Sequence, residues 1–413
     1  MLEHVDVGAV EFSAYEPYTD RDLAQEVRSL ANRLKGRRIA HINATPFGGG
    51  VSELLRSVVP IYCGLGVEAE WLLISGDPDF FSITKSFHNA LQGAHIEITS
   101  GARETYLNYN RLNAQQLEED FDVIVIHDTQ PLAMRHFKGN GRAKWVWRCH
   151  IDTSSPHEEH LLFLLEYISE YDALVFTMRE FIPPIVEHPR LEIIPPAIDP
   201  VSPKNMALPE DMCRTILLWL GVNPRRPLLT QVSRFDPWKD PMGVVEAFNL
   251  IRKEMPGLQL ALLGSMALDD PQGWDLHKQV TEATKGDPDI HVRTNLVGVG
   301  DVEVNAFQRL STVILQKSIR EGFGLVISES LWKGTPVVAN RAGGIPLQME
   351  GGAGGYLVDS TEEMVERVLH LLSAPPEERE ALGRAGQARV REHFLTPRLV
   401  RDEMRLLAGL LGV

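Results

Sequence analysis

Val313-Ile-Leu-Gln-Lys-Ser-Ile-Arg-Glu-Gly-Phe-Gly-Leu-Val-Ile-Ser-Glu329 is the stretch that decides the fold. Val313–Gln316 is a short, mostly apolar run that reads as a buried strand. Glycines at 322 and 324 then mark a turn, and Leu325–Lys333 reads as a helix. Strand, glycine turn and helix in that order are the repeating unit of parallel α/β architecture. The start of such a helix carries unpaired amides and the positive end of its dipole, and glycine lets an anion approach the backbone, so a phosphate suits this turn. Glu321 precedes the helix and Glu329 lies inside it, eight positions on. Eight residues exceed two helical turns, so helix geometry alone does not bring the two carboxylates together. They suit the two ends of an extended ligand. Spacing alone reads equally well as a surface acid and a helix acid around a tight turn.

The same rhythm runs outward in both directions. Strands are expected at Arg38–Asn43, Glu70–Ile74, Asp122–Ile126, Trp145–Cys149 and Ala173–Thr177, and again at Leu228–Val232, Gln259–Leu263, His291–Thr294, Val313–Gln316 and Pro336–Ala339. Helical patterns between them include Ser52–Tyr62, His157–Glu170, Met242–Glu254 and Val302–Leu310. Two doubly wound units are therefore expected. The boundary falls in Ile194–Pro203, whose four prolines continue neither a helix nor a central strand. The tail from Pro375 is helical, with Pro397 breaking it before a last amphipathic helix, Arg398–Leu411. The division expected is residues 1–200 with a returning helix at about 396–413 in one domain, and 201–395 in the other.

A chain of 413 residues exceeds what one core organises, which agrees with two domains of about 200 residues each. The net charge of −15 should repel nucleic acid and anionic membranes, and the chain has no Lys/Arg-rich block to reverse that. No apolar run approaches the ~18 residues of a membrane span. The first residues carry acids where a secretory signal would carry bases, so the expected location is cytoplasmic. Cys63, Cys149 and Cys213 lie far apart, which suggests neither disulfides nor a zinc site.

Three further segments carry chemistry. In Gln231-Val-Ser-Arg-Phe-Asp-Pro-Trp-Lys239, Arg234 and Lys239 follow a strand, at the carboxyl edge where doubly wound sheets bind ligands. A planar fork and a point charge suit a diphosphate, though a solvated loop with ordinary ion pairs would look the same. Thr45-Pro-Phe-Gly-Gly-Gly-Val-Ser52 allows close backbone approach at Gly49 and Gly50, or forms a plain tight connection. Trp147-Arg-Cys-His-Ile-Asp152 puts His150 and Asp152 just past one strand, with His127 and Asp128 ending the one before. A solitary histidine there is as readily structural as functional.

Arg234 with Lys239, followed by Glu321-Gly-Phe-Gly and Glu329, resembles the retaining glycosyltransferases of family four. His41–Val51, Thr84–Gly93, Trp147–Asp152, Gln231–Lys239 and Asp269–Trp274 are similar to their trehalose glycosyltransferring synthases, so that the resemblance spans nearly the whole chain. It implies the GT-B fold, two Rossmann-like domains facing across a donor-binding cleft. It implies transfer of glucose from a nucleoside diphosphate glucose to free glucose, giving α,α-trehalose with retention and in a reversible manner. Arg234 and Lys239 would hold the diphosphate. Amides around Gly322, Phe323, Gly324 and Leu325 would cradle the same group, Glu321 would contact the transferred glucose, and Glu329 the ribose. His150 would lie beside the donor glucose, with Gly49 and Gly50 approaching the donor. Asn295 and Leu296 would meet the base through main chain. The acceptor would engage His127, Asp152 and Asn89. The resemblance implies no tightly bound cofactor; Mg2+ is compatible with such a site but not required, and no metal ligands are assigned, since Asp269 and Asp270 are adjacent rather than spaced. Small-molecule substrates are the expected partners (nucleoside diphosphate glucose, glucose and trehalose), with room for a homodimer.

Rival readings stay open at this level. One is a trehalose phosphorylase of the same family and another is a family-four enzyme with a different acceptor. From other classes come a non-catalytic two-domain sugar-binding protein and a two-Rossmann sugar-nucleotide epimerase.

Overall fold

The computed structural model describes residues 1–118, 120–139, 141–266 and 271–413. The chain divides into two compact units, Met1–Ala197 with Thr396–Val413, and Ile198–Leu395.

The first unit holds seven strands: β1 (Glu3–His4), β2 (Arg38–Asn43), β3 (Glu68–Leu73), β4 (Val123–His127), β5 (Lys144–Cys149), β6 (Ala173–Phe176) and β7 (Leu191–Ile193). They lie in the order β1-β3-β2-β4-β5-β6-β7, and every pairing except β1 with β3 is parallel. Strands covered on both faces read as continuous apolar runs, which is why Val123-Ile-Val-Ile is legible as a central strand. Trp145, Trp147, Tyr106, Phe87 and Phe121 fill the core, and burying a large apolar side chain contributes roughly 1.5–3 kcal/mol. The C-terminal helix Thr396–Leu411 packs in this unit against the helix Arg21–Leu34.

The second unit is a six-stranded, wholly parallel sheet: β8 (Leu228–Val232), β9 (Gln259–Gly264), β10 (Ile290–Thr294), β11 (Val313–Gln316), β12 (Val337–Asn340) and β13 (Gly355–Val358), in the order β10-β9-β8-β11-β12-β13. Apolar clusters, one around Phe248 and Leu260 and one around Phe307 and Ala261, pack the sheet between helices.

Among the parallel strands, the order reverses once in each sheet. From β2 the chain moves outward to β3 and then returns to β4 on the other side; from β8 it moves to β9 and β10 and returns to β11. Such switch points open a crevice beyond the carboxyl ends of the two strands, where open α/β sheets bind ligands.

The sequence-derived strands agree with the structure to within about two residues. Three strands were not anticipated. β1 and β7 are too short to show a period, and β13 begins at Gly355, whose missing Cβ would meet the Val337 carbonyl oxygen at 1.8 Å. Pro397 does not break a helix. The helix Pro376–His393 ends before it, and Pro397 sits in the first turn of the next, where a missing amide hydrogen costs nothing. Among the described residues no helix is long and apolar enough to cross a membrane.

Candidate functional site

In the second unit the switch point between β8 and β11 gathers charge. Past β8 the chain makes a loop and a short 3-10 turn, Pro237–Lys239, capped by the Asp236 carboxylate on the Trp238 amide. Past β11 comes the turn that contains Glu321. Lys239 Nζ donates to Glu321 Oε2 at 2.6 Å, and both side chains are largely shielded from water. The same oxygen accepts from Ser318 Oγ at 3.1 Å and from Gln316 Nε2 at 3.5 Å. Arg234 stays half-exposed, and its ion-pair partner among the described residues is Asp236 at 3.3 Å. It is the more available of the two cations for a ligand.

The turn itself is held from behind. Gly344 N–H donates to the Gly322 carbonyl at 2.9 Å, and Gln348 Nε2 donates to the Phe323 carbonyl at 2.5 Å. A Cβ on Gly343, which has φ +49°, would meet the Glu321 carbonyl oxygen at 1.6 Å, so only glycine lets this loop approach Glu321. Gly324 is left-handed (φ 81°) and caps the helix Leu325–Trp332 without a side chain, leaving the first amides of Leu325 and Val326 without an intrahelical partner. Phe323 is buried against Phe394.

Glu329 lies inside that helix and is buried. Its Oε2 accepts from Gln308 Nε2 at 3.0 Å and its Oε1 is 3.9 Å from Lys204 Nζ. Glu321 and Glu329 therefore occupy separate environments, one in the turn and one in the core. Lys333, buried beside Glu329, has its pKa pushed down to about 7 by desolvation. Asn295 and Leu296 form a 3-10 turn after β10; the Asn295 side chain ties to Met266 main chain at 2.8 and 3.2 Å while Leu296 is exposed.

In the first unit the glycine loop follows β2. Gly48 alone of the three has positive φ (81°), Gly49 is the N-cap and Gly50 begins the helix Gly50–Gly64. A Cβ at Gly48 or Gly49 would meet nothing within 4 Å, so packing does not demand glycine there. Beyond β4 and β5, His127 Nδ1 lies 3.0 Å from His150 Nε2, and the Asp128 carboxylate accepts the His150 amide at 2.7 Å. Asp128 is in the left-handed region (φ 60°), and burial raises its carboxyl to about 7. Burial also drives His127 and His150 well below the ordinary imidazole range, so both are neutral. Asp152 is buried and accepts the Ser154 amide at 3.1 Å. Asn89 sits near the end of the helix Pro78–Leu91, and its carbonyl accepts the Gln92 and Ala94 amides.

Several residues at these sites went unremarked in the sequence. Lys317 pairs with Asp240 at 2.5 Å beside the β8/β11 crevice, and Gln231 Oε1 accepts the Lys317 amide. Asp240-Pro241 at a helix start was the signal available for the first of these. His41 in β2 lies 3.2 Å from His127 Nε2, a contact no linear pattern reveals. Asp269 and Asp270 lie outside the described residues. Among the described residues no group of His, Cys, Asp or Glu could hold a metal.

Two mostly parallel α/β units, with phosphate-compatible chemistry at a switch point of the second, are the architecture of the GT-B fold. The trehalose synthase N-terminal domain family matches residues 41–183, and the group 1 glycosyl transferases match residues 220–389. A trehalose synthase of Rubrobacter xylanophilus is 51% identical, with 100% of both chains covered. A trehalose phosphorylase of Pleurotus pulmonarius is 29% identical over 80% of this chain and 51% of that one. A UDP-forming trehalose-phosphate synthase structure from Burkholderia xenovorans superposes with a TM-score of 0.71 at 17% identity, covering 91% of this chain and 99% of that one. The chain belongs to the trehalose synthase family of glycosyltransferases.

Proposed function

We propose that this protein is a retaining hexosyltransferase that moves glucose from a nucleoside diphosphate glucose to the anomeric hydroxyl of free glucose, releasing α,α-trehalose and the nucleoside diphosphate. The observation that carries the reading is the Lys239–Glu321 pair at the β8/β11 crevice, with Arg234 open in the same loop and the Gly324 helix start beside it. As the sugar–phosphate bond breaks, negative charge develops on the diphosphate. Arg234, Lys239 and the amides of Phe323–Leu325 offset it. Glu321 accepts from hydroxyls of the transferred glucose, Glu329 from the ribose, and Asn295 and Leu296 meet the base through main chain. His150, Gly49 and Gly50 contact the donor, and His127, Asp152 and Asn89 the acceptor. The acceptor oxygen attacks from the face the diphosphate leaves, and its proton passes to the departing phosphate oxygen. No carboxylate nucleophile is needed, unlike retaining glycosidases with carboxyls about 5 Å apart, and no step is routed through a metal.

Free glucose as acceptor is supported by the state of one cation of the first unit. Among Lys85, Arg103, Arg111 and Arg148, which a phosphorylated acceptor could use, Arg148 is buried and closed on Glu403, while Arg103, paired with Glu159 at 2.7 Å, stays partly exposed. A second reading, phosphorolysis, is favoured by the similarity to the Pleurotus phosphorylase. Trehalose cleavage separates the two. The proposal expects glucose release to depend on a nucleoside diphosphate, and dependence on inorganic phosphate instead would favour the phosphorylase.

A further inference from the structure

We infer that Gln231 and Lys317 are positioning residues that clamp the main chain on both sides of Lys239 and so hold its ammonium where the departing diphosphate gathers charge. The inference rests on the reading of Lys239 as a diphosphate ligand.

Gln231 is the fourth residue of β8 and is buried. Its side chain joins the two loops of the crevice. Nε2 donates to the Lys239 carbonyl at 3.0 Å, and Oε1 accepts the Lys317 amide at 3.1 Å. A main-chain amide only donates and a carbonyl only accepts, so these partners fix which way the carboxamide faces. The position needs a donor and an acceptor on one side chain. An ionised glutamate lacks the donor, and methionine, close in size, lacks both.

Two more contacts join the loops, one on each side of Lys239. Before it, the Trp238 carbonyl accepts the Ile319 amide at 2.7 Å. After it, Asp240 has left-handed backbone (φ 43°, ψ 56°), which a residue other than glycine keeps only when its surroundings over-determine it. Both carboxylate oxygens of Asp240 are engaged. Oδ1 caps the helix Pro241–Glu254 through the Gly243 amide at 3.0 Å, and Oδ2 accepts from Lys317 Nζ. Gly243 leaves room for that pair, since a Cβ there would stand 2.2 Å from Asp240 Oδ2 and 2.5 Å from Lys317 Nζ. Residues 238, 239 and 240 are thus each held by the loop after β11. What remains free of Lys239 is its flexible four-carbon stem, and a fixed root limits where that stem can carry the charge. Lys317 brings a third cation to the crevice, but Asp240 engages it, so its part is to hold.

The test is a double-mutant cycle on steady-state transfer, read together with hydrogen–deuterium exchange. Gln231→Met and Lys317→Met are each made in the wild-type chain and in Lys239→Ala. Each should lower kcat/KM about tenfold with Lys239 present and less than twofold without it, because a clamp has nothing to deliver once the ammonium is gone. A merely structural role would cost the same in both backgrounds, so equal losses overturn the inference. A further loss when Lys317→Met is added to Lys239→Ala, with the donor KM raised, would make Lys317 a phosphate ligand and overturn its positioning role. If Gln231→Met does not fold, Gln231→Glu, which keeps the acceptor alone, takes its place with the same expectation. Exchange in segments 236–241 and 316–320 needs no activity. It should quicken in the folded Gln231 variant, and an unchanged rate overturns the bridge. Near-normal turnover by Lys239→Ala itself would instead overturn the diphosphate reading, with the exchange result still judging the clamp.

Discussion

Lys239 and Glu321 stand 2.6 Å apart and largely out of water, so neither behaves as an ordinary surface charge. A shielded pair gains from mutual attraction but costs desolvation, and removing one partner leaves the other uncompensated. Arg234→Ala and Lys239→Ala should each lower kcat/KM by about 10² or more, as loss of a transition-state charge contact does. Near-normal steady-state turnover in both would remove the phosphate assignment. Glu321→Ala should cripple transfer while leaving nucleoside diphosphate affinity nearly intact, and Glu329→Ala should weaken that affinity. Calorimetry with the nucleoside diphosphate checks the pair, and the opposite pattern would mean the two roles are exchanged. The positions of Arg234, Lys239 and Glu321 past strand ends could be read from the sequence, because strand ends are marked by where an apolar run stops. That Lys239 touches Glu321, or that Glu329 is buried beside Gln308, could not, because those contacts join residues far apart in sequence.

The elements that carry these residues show where sequence patterns succeed and where they fail. Val123–His127 and Val313–Gln316 are buried on both faces and so stand out as apolar runs, whereas Leu191–Ile193 is too short to differ from a loop. The loop Ala342–Gly344 escaped notice because its role is proximity: Gly343 lies against Glu321 main chain. Gly343→Ala should force the Glu321 turn to move. The expected result is loss of transfer with the overall circular dichroism spectrum retained, and wild-type activity would show that the turn tolerates the shift. The strands of the first unit carry a pH signature. His41 titrates near 4 in the folded state, and His127 and His150 lie well below their ordinary range, against ~6.5 unfolded. As pH falls below ~6.5 the unfolded chain binds more protons, so each of these shielded histidines removes at most about 1.4 kcal/mol of stability per pH unit. Asp128, raised to about 7, opposes this with one proton, since the folded state holds that proton where the unfolded carboxyl has lost it. Three histidines outweigh one aspartate. The melting temperature should therefore drop between pH 7 and pH 5, and more steeply than in His127→Asn; a flat or rising profile would contradict the neutral, buried histidines.

At the scale of the whole molecule, the family assignment covers both units, and the Rubrobacter relative is matched from end to end. The segments His41–Val51, Thr84–Gly93 and Trp147–Asp152 were already legible as similar to the trehalose-forming branch. Acceptor identity was not legible, because it depends on which polar groups converge, and the structure shows some polar side chains of these segments committed elsewhere. Thr84 is buried with its hydroxyl on the Phe81 carbonyl, and Arg148 is locked to Glu403. A site that hydrogen-bonds a sugar hydroxyl discriminates strongly against analogues that lack it or carry a bulky charge there. The direct test of the central claim is acceptor competition, in which the protein receives each nucleoside diphosphate glucose with glucose, glucose 6-phosphate and fructose 6-phosphate together. The account predicts that glucose is glucosylated fastest and that the product is non-reducing α,α-trehalose, released with the nucleoside diphosphate. Faster glucosylation of either sugar phosphate, or a reducing disaccharide as product, would contradict it.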